Sequence, residues 1–559
     1  MLIKKLLPLA LMALGHASAI AQIPTAGSQI QQIPPSPVPP KAAPAMRIEA
    51  GGASASASAS AQSDGAKIVV NTVRVTGARA YPEAELVALT GFKPGSELSV
   101  ADLLRMAELV VARYRADGFL LAQAYLPAQD IKDGAVTIAV QEGHYGEIRF
   151  QNQSNVSERL LASQVDALRG GDVVAVGPLE SGLLRLSDLP GLQIKSTLVP
   201  GASPGSADLV IDVLPGRRVS GSIDADNAGN RYTGQYRAGA TVNVNEVLGL
   251  GDVASVRVLS SGEGLNYARA AYQMQFGKVT GGVAYSKLRY ELGKEFAPLN
   301  AHGTASIASI YGSYPLIRSR DANLYAQLAY DAKTFHDRVD LTGAVSDKQA
   351  KVLMASVYGD RRDRFGGGGA NAFSLTWSTG ELDIGTPAVL AIDAATARSQ
   401  GRYNKLAYTL SRVQRVTDAV SLSAALNGQF AFDNLDVSEK MELGGMNAVR
   451  AYPEGEAYAD QGHVLSLEAR WMLPTLSASL PGQLQLVGFA DTGRVTRDRD
   501  PWTSGKNNRT LSGAGVGLVW ADSGNFMVRA YYARKLGGEA AQSAPDRSGR
   551  FWIQAVKYF

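Results

Sequence analysis

The residue types that do most enzyme chemistry are scarce in this chain. It has no Cys, which excludes disulfides, thiolate metal sites and a Cys nucleophile. Its five His residues, His16, His144, His302, His336 and His463, are scattered without metal-ligand spacing. His302, His336 and His463 sit in no recognisable Ser/His/acid context, although spacing alone leaves a spatial triad open. No Gly-x-x-x-x-Gly-Lys-[Ser/Thr] phosphate loop is present. The expectation is therefore a protein with no catalytic, cofactor-binding or metal-binding residues. What the sequence offers is a charge pair. Arg450 lies in a Gly-, Glu- and Asn-containing segment, 444–462, between two strand-like runs. Such a segment is too long for a tight hairpin and is either functional or folded inward. Asp491 shares one strand face with Phe489 and Gly493, while Leu484, Leu486 and Ala490 form the other. A guanidinium and a carboxylate facing one another in a confined space form a bidentate, charge-assisted contact. Two unrelated charges on one polar surface are the alternative.

The elements that must position this pair are strands. In 236–245, Tyr236, Ala238, Ala240, Val242 and Val244 alternate with Arg237, Gly239, Thr241, Asn243 and Asn245. The same period of two recurs in 266–276, 464–473 and 526–533, with Arg269, Glu468, Arg470 and Arg529 on the polar faces. Charged residues there are costly against lipid but easy in a wet lumen. At roughly 20 residues per strand and connection, residues 216–559 hold about 16 strands, a transmembrane antiparallel β-barrel. A soluble sandwich or propeller is the competing fold.

The amino terminus, residues 1–21, has the form of a signal peptide: Lys4 and Lys5, an apolar core from Leu6 to Leu14, and small residues before Gln22. That core is well short of the ~20 residues that span a bilayer. Lys+Arg (55) nearly balance Asp+Glu (51), so charge gives no reason to expect nucleic acid or another polyanion as partner. Residues 34–66 form a Pro-, Ala- and Ser-rich linker that cannot bury a core. Ahead of it, 26–32 is compatible with a short helix and equally with a plain tail.

Between linker and barrel lie two α/β modules of about 75 residues, each marginal alone. In 67–143 the pattern predicts a strand over 67–75. A helix follows over 99–118, capped by Ser99, apolar at Leu103, Leu104, Ala107, Val110, Val111 and Tyr114, and stopped by Gly118. Strands at 121–125 and 135–140 complete the module. Residues 144–215 repeat the theme, with strands at 145–150, 192–199 and 207–213 and helices at 157–168 and 178–189.

Several stretches carry a family resemblance. Tyr125-Leu-Pro-Ala-Gln129 with Asp133-Gly-Ala-Val-Thr-Ile-Ala-Val-Gln-Glu-Gly143 is similar to the end of a first POTRA domain. Asp226-Asn-Ala-Gly229, Thr233-Gly234 and Asn245 to Asp252 resemble a barrel-opening hairpin, and Tyr314-Pro-Leu-Ile317 another recurrent strand. Val449-Arg-Ala-Tyr452 and Gly488-Phe-Ala-Asp-Thr-Gly493 resemble a loop-tip motif and its companion strand motif. Together they resemble the outer-membrane transporters of two-partner secretion, the haemolysin activator and filamentous haemagglutinin transporter type within the Omp85 superfamily. Ala451 stands where the usual tip has Gly. Ala accepts a left-handed backbone poorly, which sets the turn at that residue apart from the resemblance.

The resemblance implies POTRA 1 at 67–143, POTRA 2 at 144–215 and a plug helix within 22–33. It implies an inward-folded loop near 444–462 whose Arg450 contacts Asp491, with Val449, Tyr452, Phe489 and Gly493 as its companions. It implies a large partner exoprotein of the adhesin or cytolysin class, taken in unfolded form by periplasmic POTRA domains and exported across the outer membrane. Outer-membrane lipids and the barrel assembly machinery are the other implied partners, and the terminal Phe559 resembles a barrel assembly signal. An Omp85-type assembly factor usually carries more POTRA modules than fit here, and a porin has no use for two.

Overall fold

The computed structural model describes residues 23–38, 45–48, 67–262, 264–474 and 481–559; the expected signal peptide and most of the linker lie outside them. Among these residues sixteen antiparallel strands, from Val219–Asp226 to Gly549–Tyr558, each pair with the next. The first closes on the last, from Ser222 opposite Tyr558 to Asp226 opposite Gln554. Closure leaves no free edge, as the hydrocarbon core of a membrane requires. Alternation decides what faces where. Tyr236 is 74% exposed and Val242 41%, whereas Arg237 and Thr241 are buried in the interior. Inside, Arg237 donates to Asp226 at 2.9 Å and Arg257 to Asp224 at 3.0 Å. At the chain end Lys557 faces outward and reaches Asn525 in the neighbouring turn.

The lumen is not uniformly polar. Tyr232, Leu259, Leu265, Tyr267, Leu288, Tyr290 and Phe335 form an apolar cluster on its wall. A helix, Ala26–Gln31, packs against that cluster and against the strands Val279–Glu291, Ala301–Arg318 and Ala322–Val339. Thr25 and Ser28 cap its start reciprocally. No helix among the described residues is long and apolar enough to cross a membrane.

The first module differs in detail from the sequence pattern. The strand expected over 67–75 is two, Ile68–Val70 and Thr72–Thr76, in different sheets. A helix, Glu83–Leu89, has no counterpart in the pattern because it buries only Leu86. The main helix runs Val100–Ala116. Ser99 and Asp102 form its capping box, and Arg113 and Arg115 sit in its last turn, where cations complement the helix dipole. Met106 is buried on its core face and Leu104 is exposed, because the stripe follows 3, 4 and 7 spacing from Leu103. Buried Glu142 accepts from Tyr114 Oη at 2.7 Å and from the Arg79 and Ala80 amides at 2.6 and 2.7 Å. Burial first, then this carboxylate, raises the Tyr114 phenol above its ordinary range.

The second module has the sheet order 45–48, 192–200, 206–215, 144–152, with helices Glu158–Gln164 and Val176–Asp188; residues 45–48, expected to be linker, instead pair in parallel with 192–200 as its edge strand. It sits against the turns at one end of the barrel. Arg318 makes a bidentate contact with Asp188 at 2.7 and 2.9 Å, and Lys278 meets Asp166 at 2.8 Å. Gln164 donates to the Gly277 carbonyl at 2.7 Å. The turn 246–252 docks here too, with Gly249 and Gly251 in the left-handed region against Asn155, Leu160 and Leu189. Asp252 closes that turn by accepting from the amides of Val247, Leu248 and Leu250. Beside it, both oxygens of Glu246 are buried without a partner. Burial, then the Asp252 charge, push its carboxyl up to about 7.

Candidate functional site

The connection between the strands Val420–Ala431 and Gln461–Met472 folds into the barrel. It spans 432–460, longer at its start than the 444–462 suggested by sequence, and 461–462 belong to the following strand. Buried ion pairs fix its base. Asp436 meets Lys348 at 2.5 Å, and Glu439 meets Lys333 and Lys405 at 2.7 and 2.8 Å. Lys440 lies between Asp460 and Asp498, at 3.0 and 2.9 Å. Buried charges are tolerable only when paired in this way.

At the tip, Arg450 reaches the strand Gln483–Thr496. Its Nη2 and Nε donate to the two oxygens of Asp491 at 2.7 and 2.8 Å, and its backbone amide adds a third bond at 3.1 Å. This is the bidentate geometry that a planar guanidinium favours. Nη1 takes Glu468 at 2.7 Å, and Ser466 Oγ donates to Asp491 at 2.8 Å. The guanidinium carbon lies 3.5 Å from the centre of the Phe489 ring, which itself packs edge-on to Tyr531. Stacking on an aromatic face adds attraction in a desolvated site. Both side chains of the pair are almost wholly buried.

The remaining motif residues support this contact. Val449 is fully buried and its amide donates to the Leu443 carbonyl at 3.1 Å. Tyr452 is fully buried, and its hydroxyl donates to the Glu539 carbonyl at 2.9 Å. Gly493 has no room for a side chain, because a Cβ there would run into Leu443 of the loop. Ala451 adopts no left-handed backbone, and its methyl fills the space over Gly513. The exchange of Gly for Ala is thus accommodated by a glycine on the wall. Phe559 lies elsewhere: its backbone exchanges two 3.1 Å bonds with Gly221 at the barrel seam.

Sequence reasoning put Ser466, Glu468 and Tyr531 on polar strand faces but did not assign them to the Arg450 contact, nor Trp552, whose indole donates to the Arg450 carbonyl at 2.7 Å. The signal lay in register: Ser466 sits opposite Asp491, and Glu468 opposite Phe489. The Ala26–Gln31 helix lies beside the same loop. Gln31 donates to the Val437 carbonyl at 2.9 Å, Gln29 accepts from Thr233, and the Ala26 amide reaches Asp337 at 2.8 Å. No cluster of metal-ligating side chains occurs among the described residues.

A barrel with two α/β modules beneath it and an arginine-tipped loop inside it also matches known proteins. The family model for haemolysin secretion/activation proteins ShlB/FhaC/HecB matches residues 205–520. The chain belongs to this family. A ShlB-type POTRA domain model matches 68–143. The heme/hemopexin transporter protein HuxB of Haemophilus influenzae (strain 86-028NP) is 29% identical over 470 residues, 83% of this chain and 82% of the relative. The outer membrane transporter CdiB of Escherichia coli O6:K15:H31 is 25% identical over 517 residues, 89% and 84% of the two chains. The solved structure of CdiB from Escherichia coli matches with a TM-score of 0.70 at 21% identity, covering 89% of this chain and 92% of that one, a likeness of fold. The protein is accordingly a two-partner secretion transporter of the Omp85 superfamily, set in the outer membrane with its POTRA domains in the periplasm. It exports a partner exoprotein, a reading favoured over an assembly factor or a porin.

Proposed function

We propose that the inward loop 432–460 and the helix Ala26–Gln31 together close the pore, and that export requires both to leave their present contacts. The observation that carries this reading is the buried Arg450–Asp491 contact, in which three donors of one loop residue converge on one wall carboxylate. A contact of this kind holds the loop in one position and can release it as a unit. The helix seals what the loop leaves open, through apolar packing and hydrogen bonds from its own uncharged residues, with no ion pair to break. In this reading Val449, Tyr452, Phe489 and Gly493 shape the seat of Arg450, and Phe559 directs insertion by the barrel assembly machinery among outer-membrane lipids.

The POTRA domains take the exoprotein in unfolded form, because sheet edges and grooves bind extended chains by strand addition. Folding of the exoprotein outside the cell supplies the drive. The cargo is one large exoprotein of the adhesin or cytolysin class; comparing the culture medium with and without the transporter identifies it by its loss. Arg450→Ala tests the gate. It should abolish export while the barrel remains inserted, because export needs the loop to return to this seat as well as to leave it, and normal export by that variant would remove the loop from the mechanism.

A further inference from the structure

Beyond its tip, the inward loop turns back at Glu454-Gly-Glu456, and Glu456 is completely buried at a place separate from the Arg450 contact. Its carboxylate is the meeting point of three elements. Arg509, at the start of the strand Asn508–Asp522, donates from Nη1 at 2.6 Å. Ser543 donates from Oγ at 2.7 Å and from its amide at 2.8 Å, and the Gln542 amide adds a bond at 2.9 Å. Gln542 and Ser543 belong to the connection 536–548 between the last two strands, at the end of the barrel away from the POTRA domains. Arg509 also donates to the Ala540 carbonyl of that connection at 2.6 Å. A cavity of about 310 Å³ lies beneath, between Ser28 of the helix, Tyr458 of the loop and Gln542 of the connection. The connection thus roofs the space at the outer mouth, and a loop carboxylate fastens the roof.

We propose that Glu456 is a second latch on the inward loop: a positioning residue that ties it to the 536–548 connection in the closed state and must let go for export. The proposal rests on the reading that the loop moves during export. Its chemistry suits a latch better than a permanent joint. Apart from Arg509, the donors are a hydroxyl and two backbone amides of a largely exposed connection, groups that water can serve equally well once they part. The Arg450 contact instead joins the loop to a barrel strand paired along both edges. The two fastenings hold different partners and can be lost separately.

The test uses the full transporter, whose lack of native Cys makes introduced thiols unique. Glu456→Cys combined with Ser543→Cys is joined in inserted barrels by a short bis-methanethiosulfonate linker that reductant cleaves. Export should stop when the two are joined and return on reduction. Unchanged export by the joined protein would overturn the latch. If the double variant does not insert, Ser543→Pro decides, because it removes two donors from Glu456 and leaves Glu456 and Arg509 in place. It should raise the frequency of open-channel events in planar bilayers, and a frequency equal to the parent's would overturn the latch. Arg450→Ala, run in parallel, separates the two ideas. If it exports normally, the moving-loop reading falls and takes the latch with it. If it blocks export while the joined protein still exports, only the latch falls.

Discussion

Asp491→Asn is the most direct probe of what holds the inward loop. Asp491 receives four hydrogen bonds, three from Arg450 and one from Ser466, in a site with almost no solvent. Asn keeps the shape and one acceptor but turns an amide toward the guanidinium and removes the charge. Removing one partner of a buried ion pair costs about 3–5 kcal/mol, because the other charge is left behind. Glu468 still holds Arg450 at 2.7 Å, which puts the effect at the low end of that range. A loss of about 3 kcal/mol shifts the balance between seated and released loop roughly 150-fold. A thiol at a buried tip position reads that balance: Met446→Cys is shielded while the loop is seated. In inserted barrels, its labelling by a membrane-impermeant maleimide should accelerate by roughly that factor when Asp491→Asn is added. Equal labelling rates with and without Asp491→Asn would refute the argument that this pair seats the loop.

Further outcomes follow from the same geometry. Gly513→Ala places a methyl against Ala451, so the loop should seat poorly and export should fall. Ala451→Gly in the same chain should restore export, and absence of rescue would show that the two do not share that space. Gly27→Leu drives a side chain into Ser438, an overpacking of about 1–3 kcal/mol. The Ala26–Gln31 helix should then leave the lumen and raise single-channel conductance, which an unchanged conductance would contradict. Glu246 titrates at the junction between the second α/β module and the barrel. Its raised carboxyl favours the folded junction when protonated, so this contribution is complete below its ordinary value near 4.5 and is lost as pH rises through about 7. A fluorescence-transfer pair on the second module and the barrel should therefore show urea release more easily at about pH 8 than at about pH 5. Glu246→Gln should flatten that difference.

The barrel was legible in the sequence because lipid and lumen impose opposite polarity on successive residues, and a period of two survives in 236–245, 464–473 and 526–533 whatever the register. The long gap before Gln461 marked a loop for the same reason: no strand pattern fills it. In the first POTRA module the pattern was weaker. Short elements such as Glu83–Leu89 bury a single residue and leave no periodicity to read.

Register and the path of the loop were decided only by tertiary structure. Sequence could put Asp491 on the inner face of its strand, but Ser466 joins it only because the neighbouring strand pairs at that offset. Nothing local to residues 432–443 shows that Asp436 and Glu439 meet lysines on three different strands. The same holds for Glu456, whose partners lie more than fifty residues away at Arg509, Gln542 and Ser543. Polarity along a strand is a local consequence of the solvent on each side. Contacts inside a closed barrel depend on how sixteen strands align and on how a loop of unpatterned sequence finds compensating charges within the space they enclose.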